Sequence, residues 1–166
     1  MQRRDFITIA AAGVTAASLN LPTIGRANAN KIYKLRAGKA NANLIGDGTR
    51  SKNCWLYNAS CPGPLLRRSK GEMLNVAVTN DLSTPTTVHW HGIRNINEMD
   101  GVADLTQPPI EAGEQFLYEV PLTESGTYWY HAHTMGWEQV ARGLYGPLIV
   151  DDDEDPIVDH DFTMMI

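Results

Sequence analysis

Alternation of apolar and polar positions organises the middle of the chain. Residues 72–80 (EMLNVAVTN) put Leu74, Val76 and Val78 on one face, and residues 114–122 (EQFLYEVPL) do the same with Phe116, Tyr118 and Val120. Residues 53–60 (NCWLYNAS), 86–92 (TTVHWHG), 126–133 (GTYWYHAH) and 146–152 (GPLIVDD) are short runs rich in aromatic or branched side chains. Turn-forming clusters such as CPGP and DLSTP separate them. Short strands broken in this way predict an all-β fold, an antiparallel sandwich or Greek-key barrel. Only residues 136–144 (GWEQVARGL) read as helix.

The first 29 residues follow a different pattern. MQRRDF carries positive charge, Ile7 to Leu21 is an apolar stretch of mostly small residues, and Ala27-Asn28-Ala29 has the small-x-small form of a cleavage site. A signal peptide over residues 1–29 and export to the periplasm are expected. The apolar stretch falls short of the ~20 residues a spanning helix needs, so no stable membrane anchor is expected. Arg3-Arg4-Asp5-Phe6 resembles the twin-arginine signal, with Gln2 where that pattern has Ser or Thr, and general secretion stays open as the alternative route.

Composition narrows the picture further. The 166 residues are 43% hydrophobic and 20% charged, as in a globular domain, and we assign that domain to residues 30–152. The formal charge of −5 and the absence of a basic run argue against a nucleic-acid partner. The acidic run at 151–155 reads as a solvated linker, so that residues 153–166 hold a linker and the start of a second domain. Cys54 and Cys61 are expected to be a small disulfide or buried free thiols; neither has the neighbouring ligands of a blue-copper site.

Four of the five histidines stand in two His-x-His pairs, His89 with His91 and His131 with His133. In a strand, residues two apart project to the same side. Val88 and Trp90 would then fill a core while His89 and His91 face away from it. His131, His133 and Trp129 likewise share a face. Two such strands side by side would gather four imidazoles, a donor set without carboxylates that suits copper or zinc. A lone pair of this kind is more often an ordinary surface feature; two pairs in aromatic strands favour a metal. His160 reads as a solvated or hydrogen-bonded histidine, and Met164 and Met165, adjacent in sequence, as packing residues.

Four stretches, YNASCPGPLLRRSKGE, TTVHWHGI, MDGVADLTQPPIEAGEQFLYEV and GTYWYHAHTMGWEQVARGLYGPLIV, resemble in order and spacing the first cupredoxin domain of the multicopper oxidases. That family includes laccases, ascorbate oxidase and bacterial copper-resistance oxidases. The resemblance covers residues 50–152 and implies a Greek-key cupredoxin-like sandwich. It also implies that the four histidines supply half of the ligands of a trinuclear copper cluster. His89 would hold the type 2 copper, His91 and His131 one type 3 copper, and His133 the other. Asp100 matches the acidic residue that helps move protons during oxygen reduction; on the residues alone it is a turn aspartate before Gly101. The segment TQPPI lacks the cysteine that some relatives use for an interdomain disulfide.

The enzyme so implied takes electrons from a small phenolic or metal-ion substrate and reduces dioxygen to water. The His-Cys-His motif and type 1 copper ligands of the family's C-terminal domain are not among these residues. We therefore expect the N-terminal part of such an oxidase, inactive without the C-terminal cupredoxin domains. The alternative is a stand-alone exported domain that stores or delivers copper, and a half that complements a separately encoded partner is a third. Copper nitrite reductase is disfavoured because its first domain needs a Cys-His-Met type 1 set.

Overall fold

The computed structural model describes residues 31–44, 46–48 and 51–165, so the expected signal peptide lies outside the described residues. Among the described residues, eight strands form two four-stranded sheets. One has the order β2-β1-β4-β6 and comprises β1 (Ile32–Ala42), β2 (Ser51–Tyr57), β4 (Met73–Asn80) and β6 (Gln115–Pro121). The other has the order β3-β8-β7-β5, from β3 (Leu66–Ser69), β5 (Val88–His91), β7 (Gly126–Ala132) and β8 (Tyr145–Asp151).

The sheets are mixed rather than purely antiparallel, which corrects the expectation from sequence. β1 runs parallel to β4 and β3 parallel to β8, while the remaining neighbours are antiparallel. A parallel pair needs a long crossover, and both pairs have one here. The chain leaves β1 through β2 and β3 before returning as β4. Alternation within a strand says nothing about its neighbour's direction.

Two strands carry weak patterns. In β1, the buried Leu35 and Ala37 alternate with the exposed Lys34 and Arg36. In β3 the inward positions are Leu66 and Arg68, and an inward arginine defeats any reading by hydropathy. Arg68 is accommodated because its Nη2 donates to the Lys31 carbonyl at 2.8 Å and its Nη1 lies 3.5 Å from Glu72 Oε1. The expected helix shrinks to one turn, α1 (Gly136–Gln139), whose Gln139 is fully buried. Cys54 and Cys61 are both free thiols rather than a disulfide, Cys54 buried as expected and Cys61 only half-buried, with its Sγ 3.5 Å from the Tyr145 hydroxyl. Residues 156–165 lack regular structure, and Asp161 meets Arg67 Nη1 at 2.6 Å. Among the described residues no helix is long and apolar enough to cross a membrane.

The inner faces of the two sheets share one core. Leu74, Val76, Val78, Tyr118 and Val120 from the first meet Val88, Trp90, Tyr130, Ala132, Leu148 and Val150 from the second. The Trp90 ring stands edge-on to Tyr118 with centroids 5.4 Å apart, and 6.0 Å from Tyr130. The buried Tyr118 hydroxyl accepts the Val88 amide at 2.9 Å, tying the start of β5 to the opposite sheet. Phenylalanine at 118 would leave that amide buried without an acceptor, at a cost of about 1–3 kcal/mol. We expect a lower urea midpoint at unchanged slope for Tyr118→Phe; an unchanged midpoint would show that the amide finds water.

Candidate metal centre

The register of β5 against β7 builds the site. His89 lies directly opposite His131, and His91 opposite Trp129. The intervening Val88, Trp90, Tyr130 and Ala132 are fully buried, so alternation turns His89, His91, Trp129 and His131 to the outer face of the sheet. His133 follows β7 and keeps the alternation, its amide donating to the Thr87 carbonyl at 3.1 Å. A buried polar cluster fixes the strand's approach: Thr86 Oγ1 donates to Gln139 Oε1 at 2.7 Å and Gln139 Nε2 to the Pro85 carbonyl at 2.9 Å.

The four rings meet in one patch. The His89 ring centroid is 5.7 Å from that of His91, 5.4 Å from His131 and 5.3 Å from His133. One nitrogen each of His89, His91 and His131 can be chosen so that all lie within 4.8 Å of one another. His91 Nδ1 and His131 Nε2 come within 3.3 Å. His160 stands in the C-terminal segment beside the Phe162 ring, and carries no part of this patch.

Backbone carbonyls set the tautomers. His131 Nδ1 is 2.9 Å from the Ala132 carbonyl and His89 Nδ1 is 2.8 Å from that of Asp100. A carbonyl only accepts, so each Nδ1 carries the proton and each Nε2 offers a lone pair. Burial lowers the His131 pKa from 6.5, and the neighbouring His89, His91 and His133 lower it further against the Ala132 hydrogen bond. The neutral ring, which is the metal-binding form, is thereby favoured.

Asp100 sits at the end of a 3-10 turn, Asn97–Met99, with its Oδ1 3.4 Å from His89 Nδ1. Gly101 then presses on β5: a Cβ there would stand 1.8 Å from the Val88 carbonyl oxygen. The support given by Gly101, Gln139 and Tyr118 was not apparent from sequence, because it depends on strands and loops distant in the chain. Trp129 was placed on the right face there but given no role.

Fold and site together define a β-sandwich bearing four clustered histidines on one outer face. Residues 39–155 match the family profile described as multicopper oxidase, and the chain belongs to that family. It is 42% identical over 125 residues to Laccase-2 of Thanatephorus cucumeris, covering 70% of this chain and 20% of that protein. It is 39% identical over 119 residues to Copper resistance protein A of Pseudomonas syringae pv. tomato, covering 72% and 19%. Among solved structures, a multicopper oxidase from Pseudomonas thermotolerans superposes with a TM-score of 0.73 at 39% identity, covering 78% of this chain and 31% of that one. The chain spans about a fifth of the length of the curated relatives it matches.

Proposed function

We propose that this chain is the first cupredoxin domain of an exported, periplasmic oxidase and supplies half of the histidines of a trinuclear copper cluster. The domain comprises residues 30–152, with residues 153–166 leading to the next. The approach of His91 Nδ1 to His131 Nε2 carries the reading. Imidazole–metal bonds of ~2 Å let two ligands of one ion stand no more than ~4 Å apart, so 3.3 Å fits a shared ion. The donor chemistry fits too: His89 and His131 each hold Nδ1 against a backbone carbonyl and leave Nε2 as the donor, the arrangement found around metal-bound histidines.

His91 and His131 would hold one type 3 ion, His133 the other, and His89 the type 2 ion. Bound copper supplies one-electron chemistry, carrying electrons from a phenolic or metal-ion substrate to dioxygen. The residues of this chain orient and protonate. The Asp100 carbonyl fixes the His89 ring, and its carboxylate, one-third exposed, reaches both solvent and His89 Nδ1, a position from which protons can be passed inward. The remaining cluster ligands and the type 1 site would come from further cupredoxin domains.

Copper retention tests the reading. The purified chain should retain Cu2+ weakly in equilibrium dialysis, and His91→Ala/His131→Ala should lose that retention while His160→Ala keeps it. Retention unchanged in the double variant would refute the site. Oxygen uptake with a phenol by the chain alone would refute its dependence on further domains. Full-stoichiometry copper that resists chelators would favour the storage or delivery alternative.

A further inference from the structure

We infer that Trp129 is a positioning residue for the two-histidine subsite: its indole holds the His91 and His131 rings in the orientation that brings their nitrogens together. The inference rests on the copper reading above and deepens it. The indole is stacked on His91, with centroids 4.9 Å apart and planes 28° apart, and lies 4.2 Å from the His131 ring at 32°. These are its two ring contacts among the described residues, and both are to proposed ligands.

The backbone makes this placement unavoidable. Trp129 is the cross-strand partner of His91 and stands two residues before His131 on the same face. One indole therefore spans the β5–β7 seam and touches one histidine from each strand. Imidazoles on the outer face of a sheet have two side-chain torsions to lose, and the terminal one is broad. A planar surface beneath both rings removes most of that freedom, and stacked aromatic pairs favour offset geometries of this kind. Convergence of Nδ1 and Nε2 to 3.3 Å is then present before any ion arrives.

A core-filling role is not available to Trp129. It is half-buried and points away from the interior that Trp90 and Tyr130 occupy. Its remaining edge borders an open pocket lined by Val140, Tyr145 and Met165 rather than packed side chains. Removing the indole should thus loosen the histidines more than the fold.

The test compares Trp129→Ala and Trp129→Phe with wild type and with His91→Ala/His131→Ala, using Cu2+ alone as the probe. In the copper-free chain the Cε1–H proton resonances of His91 and His131 should move when the indole is removed, and a phenyl ring should restore part of the displacement. Loss of a residue that orients ligands typically weakens metal affinity about 10–100-fold, and we expect Trp129→Ala to fall in that range with an altered Cu2+ electron paramagnetic resonance spectrum. Trp129→Phe should bind nearly as wild type, and circular dichroism should be unchanged in both. Wild-type affinity and spectrum in Trp129→Ala would overturn the inference, as would failure of phenylalanine to rescue. If the double histidine variant also binds normally, the copper reading itself has failed; if it alone loses copper, only the role of Trp129 has.

Discussion

Alanine at Gly101 should destabilise the fold by about 2–5 kcal/mol, the sum of a left-handed backbone penalty and an overpacking collision. The residue has φ +81°, a region that costs L side chains energy wherever it occurs. The added Cβ would also lie 1.8 Å from the Val88 oxygen, 2.4 Å from its carbon and 2.9 Å from the His89 nitrogen. All three are backbone atoms of β5 and cannot rotate aside, so either the loop or the strand must move. Gly113 separates the two contributions. It has φ +84°, yet a Cβ there would meet nothing within 4 Å. Gly113→Ala should therefore lose only the conformational part, about 1 kcal/mol. Chemical denaturation of both variants checks this, and equal losses would mean that the collision is relieved.

The same substitution reaches the site. Asp100 precedes Gly101, and its carbonyl holds His89 Nδ1. Lifting the loop off β5 frees the His89 ring even where the fold survives. Copper retention in Gly101→Ala should fall at temperatures well below its melting point.

What sequence could reveal follows from the range of each interaction. The His-x-His pairs announce their shared faces through the two-residue period of a strand, and the predicted convergence of four rings needed only that the two strands be neighbours. The register His89 to His131 satisfies it. The alternating strands were legible for the same reason, since the period is local. The rest depends on distant partners. An arginine faces inward in β3 because Lys31 and Glu72 happen to receive it. The helical pattern of residues 136–144 stops short because Gly143 turns the chain at φ 116°, its amide bonding the Val140 carbonyl at 2.9 Å while the Leu144 amide closes onto the Gln139 carbonyl at 3.1 Å. The parallel pairs of β1 with β4 and β3 with β8 left no trace in local patterning. Asp100 could be nominated from MDGV alone, but only the packed loop shows that its carbonyl, more than its carboxylate, addresses His89.

Trp90 should be the most costly core side chain of the site to remove, and its effect should split by substitution. It is fully buried between the sheets, and truncation of such a side chain to alanine costs about 3–5 kcal/mol. Its indole nitrogen is buried without a hydrogen-bond partner, so the ring contributes packing and pays for a stranded donor. Trp90→Phe keeps an aromatic ring against Tyr118 and Tyr130 and discards that donor, and should cost only about 1–2 kcal/mol. The consequence for the histidines follows from register. Trp90 is flanked by His89 and His91, and a slip of one residue in β5 would exchange the faces of all three. The buried ring is what makes that slip unfavourable, because it would bring imidazoles into the core and an indole into water. Trp90→Ala should therefore lose copper retention together with stability, whereas Trp90→Phe keeps both near wild type. Thermal melts paired with copper analysis distinguish the outcomes: if phenylalanine is as damaging as alanine, the indole nitrogen has a partner after all, and if alanine leaves retention intact, the histidines hold their face without the tryptophan between them.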